Sequence, residues 1–130
     1  MQTMKFFKKD QVVATEGYKD ERLFILVDGR IAIFKGNLKV AEFHEPGTIV
    51  GEIAIILKHP RTATIKTLED TNLIVVEATI EELIRTMPDI ALKIMKNLAE
   101  RLANTTKDYW KLSEKINTVV DLKNIIKKWE

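Results

Sequence analysis

A carboxylate and a guanidinium stand nine residues apart beside an apolar stretch of this sequence. Glu52 and Arg61 belong to the run VGEIAIILKHPRTATIKT (50–67), which is otherwise mostly apolar. Charged groups beside a core are costly unless something satisfies them. If EIAIIL (52–57) forms a helical turn, its first amide N–H groups lack partners within the turn, and such amides together with an arginine bind phosphate. Glu52 would repel a phosphate, so its carboxylate suits a sugar hydroxyl beside the phosphate.

The residues alone leave a second interpretation open. Glu52 and Arg61 also suit a structural ion pair at the start of a helix, with no ligand involved. In either case we expect the turn to end before Pro60, because proline disfavours a helical residue before it. Arg61 would then start the next strand.

Composition narrows the function classes. The 130 residues make one domain, 1–130, and there is no cysteine, which excludes disulfides, thiol catalysis and zinc–thiolate sites. A net charge of +2 is too balanced to indicate nucleic acid. No apolar run is long enough for a bilayer, and no signal peptide is evident, so we expect a cytoplasmic chain without membrane contact. His44 and His59 stand beside turn prolines with no partner motif, so we expect no metal, no other cofactor and no catalytic residue.

The first half of the chain is predicted to be β. Short β-branched or aromatic runs alternate with turn signals such as Asp28-Gly29 and Gly36-Asn37, a pattern typical of a small antiparallel barrel or roll. We expect this roll over about 4–78. The predicted strands are 12–15, 22–28, 30–35, 38–43, 61–67 and 71–77.

The second half, about 79–130, is predicted to be helical. TIEE (79–82) is a capping box with Thr79 as N-cap, and Pro88 suits the first position of one long helix or of two. A heptad seam runs through this segment, which favours a coiled coil, and Thr105 is its polar position. The seam comprises Ala91, Met95, Leu98, Leu102, Thr105, Tyr109, Leu112, Ile116 and Val119.

GEIAIILKHPRTAT resembles the phosphate-binding cassette of the cyclic-nucleotide-binding domain family. The family pattern is Gly-Glu-Leu-Ala-Leu, a short turn, then Pro-Arg-Ala/Thr-Ala-Thr, with the same spacing between Glu and Arg. The runs TEGYKDERLFILVDGRIAIF, EPGTIVGE and PDIALKIMKNLAERL resemble further parts of the family. One departure is Val50, where a Phe is common.

The resemblance implies an α+β fold, an antiparallel β-roll of the jelly-roll type with a phosphate-binding cassette, followed by a long C-terminal dimerisation helix. It implies a sensor in which Glu52 accepts the ribose 2′-hydroxyl and Arg61 pairs with the cyclic phosphate. Gly51 would permit close approach. Backbone N–H groups of Ile53, Ala54 and Ala63 would complete the cradle.

The resemblance also bears on the base. RLANTTKD is similar to the helix of catabolite-activator-type members, where a corresponding pair of residues supplies hydroxyls to the adenine amino group. Thr105 and Thr106 match that pair, one from each chain of a homodimer formed through the 88–119 helix. Thr62 favours cGMP instead, because a Thr there can meet the guanine 2-amino group. The threonine pair makes cAMP the favoured ligand and cGMP the alternative.

The sequence does not identify the process that such a sensor would regulate. We expect no sequence-specific binding of nucleic acid, because only 18 residues remain from Ser113, and their apolar positions suit packing. They either extend the dimer helix or fold back on the roll. An unidentified protein effector is the expected partner. The alternatives are a domain of this fold that docks partners without nucleotide and, less favoured, a cupin-type barrel enzyme.

Overall fold

Strands and helices follow one another in the order that the sequence predicts. The computed structural model describes residues 2–128. The elements are β1 (Gln2–Phe7), β2 (Val12–Ala14), β3 (Arg22–Asp28), β4 (Ile31–Lys35), β5 (Leu38–Phe43), β6 (Ile49–Val50), α1 (Glu52–Leu57), β7 (Thr64–Thr67), β8 (Thr71–Glu77), α2 (Ile80–Thr86) and α3 (Pro88–Lys128).

The strands form two four-stranded antiparallel sheets. Their orders are β1-β8-β3-β6 and β2-β7-β4-β5. Both sheets contribute buried side chains to one core, as alternating apolar positions on half-buried strands require. This confirms the predicted α+β fold, a β-roll followed by a long C-terminal helix. The core cluster contains Phe7, Val13, Ala14, Phe24, Leu26, Ile31, Val50, Ile65 and Leu73.

The strand predicted over 61–67 is wrong in its first three residues, since β7 begins at Thr64. The backbone of Arg61 bonds instead to the loop between β2 and β3. Its N–H donates to the carbonyl of Tyr18, and its carbonyl accepts from the N–H of Gly17, both at 2.9 Å. These bonds take the place of a sheet ladder, so Arg61 lies in a loop. Neither β1 nor the two-residue strand β6 was among the predicted strands.

The helix starts agree with the sequence signals. Thr79 is the N-cap of α2, and its Oγ1 accepts from the N–H of Glu82 at 3.2 Å. Pro88 begins α3, whose first turn carries Asp89. The choice between one helix and two is decided in favour of one, from Pro88 to Lys128.

The described chain divides into two compact units after Ala91. The first holds both sheets, α1, α2 and the start of α3; the second is the remainder of α3. In the second unit, large seam side chains are exposed, among them Leu102 at 69% and Tyr109 at 71%. Among residues 2–128, no helix is long and apolar enough to cross a membrane. The assignment of the whole chain to one domain stays a prediction.

Candidate anion-binding site

The site is built around the bend at Gly51. Gly51 is the N-cap of α1 and has φ 89° and ψ 4°, in the left-handed region that side-chain-bearing residues rarely adopt. A Cβ placed there would lie 2.7 Å from Nη1 of Arg61 and 3.2 Å from the carbonyl oxygen of Arg22. Glycine is therefore required both by the backbone and by the close approach of Arg61.

The guanidinium of Arg61 is held from several sides. Its Nη1 donates to the carbonyl of Gly51 at 2.8 Å, and its Nε donates to Oδ2 of Asp20 at 3.0 Å. Its Nη2 donates to Oδ1 of Asp20 and to the carbonyl of Arg22. The group also lies over the ring of Phe24, 5.4 Å from its centroid. The Arg61 side chain is only 3% exposed, so it is fixed in place beside the start of α1.

Asp20 is a site residue that sequence reasoning missed. Its carboxylate receives Arg61 on one side and Arg22 on the other, with Nε of Arg22 at 3.3 Å from Oδ1 and Nη2 at 3.4 Å from Oδ2. The only sequence signal is the charged run KDER (19–22), whose last residue begins the strand β3. Such a run is ordinarily a solvated face, so nothing in it pointed to a residue 41 positions further along the chain.

Ionisation of Asp20 follows from these contacts. Burial alone would raise the pKa of Asp20. Hydrogen bonds from Arg61 and Arg22 outweigh burial and lower this pKa from 3.8 to about 2. Asp20 is therefore a carboxylate at any physiological pH.

The first four predicted ligand residues are consecutive at the start of α1. Glu52 is 6% exposed and Ala54 also 6%, while Gly51 and Ile53 are half-buried. Because the Gly51 carbonyl bonds to Arg61, the structure brings this short stretch and Arg61 to one corner of the roll. A buried carboxylate and a buried guanidinium thus lie at the same bend, and their roles toward a ligand stay predictions.

The remaining predicted residues are placed differently. Thr62 is exposed and its carbonyl accepts from Nζ of Lys35 at 2.8 Å; Ala63 is half-buried. Thr105 and Thr106 are exposed on α3 in the second unit. Their roles toward a ligand stay predictions.

Metal ligation has no support in the part of the chain that the structure describes. Within residues 2–128, no three His, Cys, Asp or Glu side chains cluster as a metal site. His44 is exposed, and Nδ1 of His59 lies 2.9 Å from the carbonyl oxygen of Pro60.

Comparison with known proteins places this geometry in a family. The family profile described as "Cyclic nucleotide-binding domain" matches residues 4–86, more than half of the chain. The lysophospholipase nte1 of Neurospora crassa is 28% identical over 120 residues, covering 88% of this chain and 8% of that protein. The chain thus spans less than a tenth of the length of that curated relative.

Solved structures share the fold. The Thermus thermophilus catabolite activator protein has a TM-score of 0.75 at 23% identity, over 86% of this chain and 55% of its own. The cAMP-bound PfPKA-R (141–441) has a TM-score of 0.66 at 23% identity, over 76% of this chain and 34% of its own.

Proposed function

The chain belongs to the cyclic nucleotide-binding domain family, and we propose that it is a non-catalytic receptor for a cyclic nucleotide, cAMP in preference to cGMP. Arg61 pairs with the cyclic phosphate and Glu52 accepts the ribose 2′-hydroxyl. Backbone N–H groups of Ile53, Ala54 and Ala63 complete the phosphate cradle.

One observation carries this proposal: Arg61 is held against the carbonyl of Gly51, directly beside Glu52 and the start of α1. A phosphate needs a guanidinium and backbone amides at one spot, and a sugar needs an acceptor next to them. Glu52 and Arg61 are both buried, and Arg61 bonds to the carbonyl of the residue before Glu52.

Ligand must share Arg61 with the protein. Contacts among the described residues use four of the five N–H donors of the guanidinium: the one on Nε, both on Nη2 and one on Nη1. The second Nη1 hydrogen remains for a phosphate oxygen. The ligand's phosphate therefore meets an arginine side chain that is already oriented. Because that side chain loses little conformational entropy on binding, the entropic cost of binding is lower.

The base is read by two competing sets of hydroxyls. Thr105 and Thr106 favour adenine, with one hydroxyl from each chain of a dimer, whereas Thr62 favours guanine. Thr62 is exposed and follows Arg61 directly in the sequence. We give the threonine pair the larger weight, so the proposed ligand is cAMP.

Dimerisation and output form the second part of the proposal. The seam of α3 carries exposed Met95, Leu102, Tyr109, Leu112 and Ile116, each more than half exposed. A heptad stripe of this kind is buried by a second helix of the same pattern. Ligand would tighten or reposition that helix and so regulate a protein effector.

A domain of the same fold that docks partners without nucleotide is the competing function. The 3% exposure of Arg61 favours it, because a ligand must reach a buried group. The joint presence of Glu52 and Arg61 at the spacing of the family's cassette opposes it, although Arg61 also has structural contacts with Asp20.

Calorimetric titration of the chain with cAMP, cGMP and, as a ligand control, 5′-AMP tests the proposal. We expect saturable binding of cAMP that is tighter than binding of cGMP, with little response to 5′-AMP. Arg30→Ala is the matched control for Arg61→Ala, because Arg30 is also ion-paired, but with Glu42 at 2.7 Å and Glu69 at 3.1 Å. Failure of every cyclic nucleotide to bind would support the docking module.

A further inference from the structure

Arg22 and Arg61 are tied together in three ways. They share the carboxylate of Asp20, with Nε of Arg22 at 3.3 Å from Oδ1 and Nε of Arg61 at 3.0 Å from Oδ2. The carbonyl of Arg22 accepts from Nη2 of Arg61. Both guanidiniums lie over Phe24, 5.2 Å and 5.4 Å from the ring centroid. The two arginines and Asp20 are therefore one charged cluster.

The charge of this cluster depends on Arg22. Asp20 and Arg61 alone would form a neutral ion pair, and a phosphate approaching a neutral pair meets the carboxylate as well as the guanidinium. With Arg22 included, these three residues carry a net charge of +1, and Arg22 also helps to balance the buried carboxylate of Glu52 at the same bend. A net positive charge attracts an anion over several ångströms, most strongly where protein excludes water.

Arg22 also contacts Asp20 directly. Its Nε and Nη2 contact both oxygens of Asp20, and its backbone N–H donates to Oδ1 at 3.1 Å. Arg61 bonds to the same two oxygens, so the carboxylate is shared between two guanidiniums and does not belong to Arg61 alone. Nη2 of Arg22 is fixed in turn by the carbonyl of Val13 at 3.2 Å, and its side chain is 30% exposed.

We propose that Arg22 is a positioning residue for the ligand's phosphate, keeping the Asp20–Arg61 pair net positive without itself contacting the ligand. This inference rests on the proposed cyclic-nucleotide site. It assigns a binding contribution to a residue outside the cassette, on the first position of β3.

The test measures cAMP affinity for the wild-type chain, Arg22→Met and Arg22→Lys at 0.05 M and 1 M salt. Methionine removes the charge but keeps a long side chain. Lysine keeps the charge but lacks the planar guanidinium that contacts both oxygens of a carboxylate. At low salt we expect Arg22→Met to weaken binding roughly five- to thirtyfold, the effect of one partly screened charge at an effective dielectric constant of about 20. Arg22→Lys should recover most of that loss. The gap between wild type and Arg22→Met should narrow at 1 M salt.

Two controls separate charge from folding. Arg30→Met removes an arginine of similar exposure, and it should leave cAMP affinity within about twofold of wild type because its ion-pair partners are Glu42 and Glu69 and not Asp20. Melting temperatures of all variants show whether any loss of affinity follows a loss of structure.

Several outcomes would overturn the inference. Wild-type affinity in Arg22→Met would do so, as would an equal loss in Arg22→Met and Arg22→Lys at both salt concentrations, which would indicate a packing role. Wild-type protein that binds no cyclic nucleotide would overturn the proposed function and this inference with it.

Discussion

Arg61 bonds to Asp20 through both Nε and Nη2, joining the loop before β7 to the loop before β3 across 41 residues of sequence. The residue proposed to bind phosphate therefore also bridges two parts of the roll. We therefore expect variants at Arg61 to lower the stability of the fold as well as the affinity for ligand, and the two effects must be measured separately.

Arg61→Ala should weaken cAMP binding roughly 30- to several-thousand-fold, the usual result of truncating one side of a desolvated charge pair. It should also lower the free energy of unfolding by about 1–3 kcal/mol, because the partly buried Asp20 loses a charged partner. Titration calorimetry and urea unfolding measure the two effects.

The double variant Asp20→Asn with Arg61→Ala provides the matched control. Removing the charge of a carboxylate that has lost one of its two arginine partners should restore part of the lost stability but none of the lost affinity. Recovery of cAMP binding in the double variant would show that Arg61 does not bind the ligand.

Acid should destabilise the fold through Asp20. Its folded-state pKa, about 2, lies below the value of 3.8 for an unperturbed carboxyl. The resulting stability is complete above about pH 4 and is lost as the pH falls toward 2; it amounts to at most roughly 2 kcal/mol. Urea unfolding from pH 2 to pH 5 measures it. Asp20→Asn should flatten this part of the profile, and an unchanged slope in the variant would assign the acid sensitivity to other carboxylates.

Gly51→Ala should reduce both stability and ligand affinity. The positive φ of 89° costs an alanine about 1–2 kcal/mol, and its Cβ would displace the Arg61 guanidinium, 2.7 Å away. Gly17→Ala is the control, because Gly17 has φ 86° but open space where a Cβ would lie. Chemical unfolding should show that backbone strain lowers the free energy of unfolding of both variants by a similar amount. Titration with cAMP should show a loss of affinity for Gly51→Ala alone. Equal affinities would contradict a phosphate site at this bend.

The proposed dimer should depend on the seam of α3. Leu102→Lys with Ile116→Lys places charges at two exposed seam positions and should convert the dimer to a monomer at micromolar concentration. Asn104→Lys with Thr118→Lys adds the same charge at the same spacing but outside the seam, and should stay dimeric. Sedimentation velocity distinguishes the two. A wild-type monomer, with and without cAMP, would reject the dimer.

Thr105→Ala with Thr106→Ala should weaken cAMP binding more than cGMP binding, because the lost hydroxyls are proposed to meet the adenine amino group. Thr118→Ala, on the same helix, is the control and should change neither. Thr62→Ala should affect cGMP more than cAMP. Parallel titrations with both nucleotides measure the selectivity, and an equal loss for both ligands would show that the pair does not read the base.

Local signals were sufficient for most elements of this fold, though not for β1 or β6. Alternating apolar runs predicted five of the strands closely, and the Thr79 capping box and Pro88 marked the helix starts. The spacing from Gly51-Glu52 to Arg61 identified the family, because a phosphate-binding turn is a contiguous segment whose chemistry is written in neighbouring residues. Each of these features depends on contacts between residues close in sequence.

Only the tertiary structure decided what holds Arg61. Asp20 and Arg22 reach it because the loop before β3 packs against the loop before β7, and that juxtaposition results from the pairing of strands distant in sequence. In the same topology the backbone of Arg61 bonds to Gly17 and Tyr18 and does not extend β7. The strand β6 forms by pairing with Phe24 and Ile25 of β3. No local pattern encodes such contacts, since which charged residue of an exposed run meets a buried arginine depends on the whole topology of the roll.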